Sequence, residues 1–61
     1  MPNLTARELT SLEDQLSAEQ LLVKKFKAYA ALSADPQLKT QYAQIAGQHQ
    51  SHFDRLLALL S

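Results

Sequence analysis

The chain has no cysteine, no tryptophan, one glycine and only two prolines in 61 residues. Without cysteine there is no disulfide and no thiolate metal site to brace the fold. Thiol usage therefore says nothing of redox compartment. An excess of one charge is also lacking: six Lys and Arg balance six Asp and Glu. No net field draws the chain toward nucleic acid or an anionic membrane. No apolar run approaches the roughly 18–20 residues of a membrane span, and residues 1–10 lack the apolar stretch of a signal peptide. These absences exclude a disulfide scaffold, a membrane span and a multidomain enzyme. The expectation is one small intracellular unit.

What is present is helix-forming. The apolar fraction of 46% is that of a folded chain rather than a disordered one. A chain this short buries only about 60% of its unfolded surface, so a partner is expected. Pro2 falls in a start expected to be disordered, which leaves Pro36 as the one internal break in a sequence rich in Ala, Leu, Gln, Glu and Lys. Thr5 fits an N-cap with Glu8 at N3 completing a capping box, and Leu4 with Leu9 fit a hydrophobic staple. Thr10 with Glu13 offers a second box should the first turn fray. Asp35 fits the N-cap of a second helix, with Pro36 at N1, where a missing N–H costs nothing. The spacing predicts a helix over about 5–32, a turn over about 33–35 and a helix over about 36–60, each helix about 40 Å long. This is an all-α antiparallel hairpin.

The periodicity implies more than one hairpin. Leu9, Leu12, Leu16, Glu19, Val23, Phe26 and Ala30 alternate steps of three and four, as do Leu38, Tyr42, Ile45, His49, His52, Leu56 and Leu59. That is heptad spacing. A second stripe flanks each seam, with Leu22 and Tyr29 in the first helix and Ala46, Phe53 and Leu60 in the second. One partner helix cannot cover stripes this wide. The expectation is a homodimer, or a higher oligomer, forming a four-helix bundle. Its core is assigned to Leu9, Leu12, Leu16, Val23 and Phe26 with Tyr42, Ile45, Phe53, Leu56, Leu57 and Leu60.

Three polar residues interrupt the seams: Glu19, His49 and His52. With the hairpin centred between Ala34 and Asp35, residues whose numbers sum to about 69 share a level, since both helices rise equally per residue. Leu16 then faces Phe53, Val23 faces Ala46, Phe26 faces the region of Tyr42, and Glu19 falls beside His49 and His52. A carboxylate facing two imidazoles reads either as a hydrogen-bonded layer that fixes register, as a divalent-metal site, or as a frayed layer without a role. His-x-x-His on one helix places both rings on one face, and a two-fold dimer doubles the set to two Glu and four His. Ferritin-like di-iron and di-manganese bundles use Glu with Glu-x-x-His. Here His-x-x-His takes that place, and the lower negative charge favours a single divalent ion such as zinc or nickel over oxygen-activating di-iron chemistry, with zinc, nickel, iron and manganese all candidate ions.

The run Glu19-Gln20-Leu21-Leu22 through Tyr29, then Ala34-Asp35-Pro36-Gln37-Leu38-Lys39, Ile45 and His49, resembles the spore coat protein F family of endospore-forming bacteria. The resemblance covers roughly residues 12–60, and its most specific piece is Asp35-Pro36-Gln37-Leu38-Lys39. It implies a ferritin-like helical hairpin, a structural or assembly role in the spore coat or forespore, other coat proteins as partners, and no established reaction.

The remaining features have plainer readings. Lys24, Lys25 and Lys27 read as a solvated helix face. Their functional alternative is an RNA-binding bundle of the Rop type, which needs a basic stripe with stacking groups. Phe26 and Tyr29 are near but read as core, and with balanced charge nucleic acid is not the expected partner. Gln37, Gln41, Gln44 and Gln48 form a face whose default reading is solvated surface and whose functional alternative is lateral contact between bundles. Gly47, beside Ala43 and Ala46, reads as a point of close helix approach. No nucleophile–base pair, phosphate-cradling loop or paired carboxylates appear, so no enzyme is expected.

Overall fold

The protein is described by a computed structural model over residues 3–60; the expectation for Pro2 lies outside the described residues. Two helices, α1 (Ala6–Leu32) and α2 (Pro36–Ala58), pack against one another as a hairpin. The first starts where its cap chemistry dictates. Thr5 N–H donates to Glu8 Oε1 at 3.0 Å, and Glu8 N–H donates back to Thr5 Oγ1 at 3.1 Å. Two of the N–H groups that a helix start leaves unpaired are thereby satisfied. Thr5 also holds the Glu8 carboxyl below its ordinary value of 4.5, its backbone N–H contributing most and its hydroxyl next. Leu4 and Leu9, expected to staple this start, are 37% and 40% exposed. The second capping box is not used. Thr10 lies inside the helix and donates to the Ala6 carbonyl at 3.0 Å, as a hydroxyl does once the turn before it is formed.

Ser33 closes α1 in extended conformation, and Asp35 opens α2 by accepting from the N–H groups of Gln37 at 2.8 Å and Leu38 at 3.5 Å. Pro36 sits at the first helical position. The two helices are 27 and 23 residues long, so α2 is shorter than expected. It stops at Ala58, and Leu59 and Leu60 form a turn through bonds to the Leu56 and Leu57 carbonyls, the tighter i→i−3 pattern common at helix ends.

The interior is thin. Among the described residues only Leu12, Val23 and Ala46 are buried hydrophobics. Leu16, Phe26, Tyr42, Ile45, Phe53, Leu56 and Leu60 are half-buried, while Leu9 and Leu57 are exposed. Tyr29, read from sequence as core, is 41% exposed, although its ring packs against Phe26 and Tyr42. Gly47 is exposed, and a Cβ there would meet nothing within 4 Å, so it serves no close approach inside the hairpin. The molecule is a rod of 46 × 15 × 10 Å with a radius of gyration of 14.3 Å, against about 10.5 Å for a compact chain of this length. Among the described residues no helix is long and apolar enough to cross a membrane.

Candidate metal centre

Glu19 occupies the middle of α1 and points at α2, one turn before Val23 on the buried stripe. His49 and His52 stand three residues apart on α2, so their rings lie on neighbouring turns of one face. The hairpin brings all three together. Glu19 Oε2 lies 3.1 Å from His49 Nδ1 and 3.4 Å from His52 Nδ1. One ligand atom from each residue falls within 4.8 Å of the others.

The surroundings differ for the two imidazoles. His49 is held in place: its ring stacks on Phe26 at 5.9 Å with 15° between planes, and His52 meets it edge-on at 5.9 Å. Phe26 in turn contacts Tyr42 at 6.0 Å, so an aromatic cluster runs from the turn end up to the histidine layer. The His49 and Glu19 side chains are 22% and 17% exposed, whereas His52 is half exposed. It borders a groove of about 360 Å³ lined also by Gln15, Glu19, Arg55 and Leu56. Among the described residues no buried side-chain nitrogen or oxygen lacks a hydrogen-bond partner. Both imidazoles face the same carboxylate oxygen, Glu19 Oε2.

The donor set fits a divalent ion. Two imidazole nitrogens and a carboxylate oxygen suit zinc, nickel or ferrous iron, and three protein ligands leave a coordination position open. A tetrahedral ion with bonds of 2.0–2.2 Å needs ligand atoms about 3.3–3.6 Å apart; the two carboxylate–imidazole separations, 3.1 and 3.4 Å, lie close to that spacing, and all three ligand atoms fall within 4.8 Å. Packing against Phe26 orients the His49 ring, as support around a ligand orients it for a metal.

The Phe26–His49 stack was not legible from level counting, which placed Phe26 opposite Tyr42; both side chains lean toward the N-terminus of their own helix, and in an antiparallel pair the two leans converge and close that offset. The lysine cluster is exposed, and Lys25 Nζ lies 5.7 Å from the centre of the Tyr29 ring. No family model, curated protein or solved structure matches this chain.

Proposed function

We propose that this chain is a non-enzymatic assembly module, half of a four-helix bundle, that binds a divalent metal ion through Glu19, His49 and His52. The observation that carries this is the convergence of the three polar seam residues on one carboxylate oxygen, at 3.1 and 3.4 Å. Residues scattered over positions 19, 49 and 52 meet only because the hairpin folds with this register. Self-association is supported by the thin interior: a heptad seam whose leucines, Leu12 excepted, stay half-buried or exposed requires further apolar surface.

A place in the spore coat, with other coat proteins as partners, is the setting we propose from the resemblance of residues 12–60. Binding of RNA has less support. Among Lys24, Lys25, Lys27 and Lys39 only Lys25 approaches an aromatic ring, and stacking of bases needs rings left free of the protein's own packing.

Equilibrium dialysis of the untagged chain against zinc and nickel tests the metal reading. Wild type is expected to retain ion at neutral pH and Glu19→Gln to retain much less. Equal retention by both, or by neither, refutes it.

A further inference from the structure

The apolar flanks of the two helices lie on the same side of the rod. By helical phase, Leu22 and Tyr29 of α1 and Leu38, Ile45 and Leu59 of α2 border one face. His52 stands at its middle, beside the groove already described. Tyr29, Leu38 and Leu59 are 41%, 42% and 50% exposed there. The chain exposes 4681 Å², where a compact monomer of 6.8 kDa exposes about 3,950 Å². The excess, about 700 Å², is close to the roughly 800 Å² that each partner buries in a standard interface.

The rod is also electrically polar along its length. Residues 20–49, the half nearer the turn, carry four lysines against Asp35, four minus one, a net +3. The other half carries Arg7 and Arg55 against Glu8, Glu13, Asp14, Glu19 and Asp54, two minus five, a net −3. Two such rods repel with their turns together and attract when the turn of one lies against the open end of the other. Such an arrangement superposes a layer on its own copy only if that layer lies at mid-length. Glu19 is the midpoint of Ala6–Leu32.

We propose that a second copy of this chain covers the His52 face antiparallel, and that the two Glu19–His49–His52 groups meet across the two-fold as one divalent-metal centre. Metal binding and dimerisation are then a single linked equilibrium. The proposal rests on the metal reading above and adds the partner, its direction and the stoichiometry. Charge fixes the last of these: two carboxylates neutralise one divalent ion, so the buried layer closes uncharged with one ion per two chains. A single hairpin offers one carboxylate and leaves His52 half exposed, so its centre is incomplete alone.

The test combines sedimentation equilibrium with bound-metal analysis on the wild-type chain, in chelator and in zinc. A spin label is placed on Gln37→Cys, an exposed position in a chain with no other cysteine. Zinc is expected to strengthen dimerisation at least about tenfold, with one ion per two chains, and His52→Gln is expected to lose that response. Gln37 lies about thirteen residues of helix from mid-length, so antiparallel copies separate the labels by about 40 Å along the rod. Labels within roughly 20 Å, two interhelical spacings, would mean a parallel dimer and overturn the pairing. One ion per chain on a monomer would overturn the shared centre while leaving the metal reading intact. A chain that takes up no zinc at all would overturn both.

Discussion

Among the described residues Leu12 is one of three buried hydrophobic side chains, with 6% of its surface exposed, and truncating it measures how much of the fold rests on the hairpin alone. Leu12→Ala removes three carbon groups, worth about 2.4 kcal/mol at roughly 0.8 kcal/mol each. The unfilled cavity raises the loss to about 3–4 kcal/mol. A single core of this size supplies only about 3–5 kcal/mol, so the variant hairpin on its own would be near or past its unfolding midpoint. If two copies share a core, unfolding is bimolecular, and a hundredfold rise in chain concentration restores about 2.7 kcal/mol. Far-ultraviolet circular dichroism in urea, at two such concentrations, reads both effects. The expected result is a large drop in midpoint for Leu12→Ala and an upward shift of both midpoints with concentration. Leu21→Ala, 67% exposed on the outer face, should change stability by less than about 0.5 kcal/mol. A Leu12→Ala loss below about 1 kcal/mol, or midpoints independent of concentration, would refute the reasoning.

Two local predictions follow from the caps and the glycine. Thr5→Ala should cost about 1 kcal/mol of stability in thermal melts. The Glu8 carboxyl, held below its ordinary value mainly by the Thr5 backbone N–H, contributes stability that is present above pH 4.5 and lost as pH falls through its lowered value; this acid-linked loss should vanish in Glu8→Gln and persist, reduced, in Thr5→Ala, which keeps that N–H. Gly47→Ala should raise helix stability by about 0.5–1 kcal/mol, because the added Cβ meets nothing within 4 Å; a loss in the same melts would mean that another chain approaches Gly47.

The features legible in the sequence are those set by local chemistry or by simple register. Thr5, Glu8, Asp35 and Pro36 act within one turn of their own positions, so the helix starts follow from sequence alone. The meeting of Glu19 with His49 and His52 follows from counting levels outward from the turn, because both helices rise equally per residue. Features that depend on neighbours in space were not legible. Thr10 has the identity of a cap, but the helix forming ahead of it turned its hydroxyl to the Ala6 carbonyl. Tyr29 follows an apolar stripe, yet the hairpin covers only one side of that stripe and leaves the ring partly exposed. Gly47 stands beside Ala43 and Ala46, but helical phase carries it away from α1. The early end of α2 reflects its last turn tightening into i→i−3 bonds at Leu59 and Leu60.

The central claim is that Glu19, His49 and His52 hold a divalent ion in the folded chain, and thermal melting with and without zinc tests it most directly. An ion that binds only the folded state raises the melting temperature, and protons compete with it for the imidazole nitrogens, so the shift should shrink on acidification. The account predicts a clear upward shift at neutral pH for wild type and none for His52→Ala, whose helical content should be nearly that of wild type. No shift in wild type with zinc, nickel, manganese or ferrous iron, or an equal shift in His52→Ala, would contradict it.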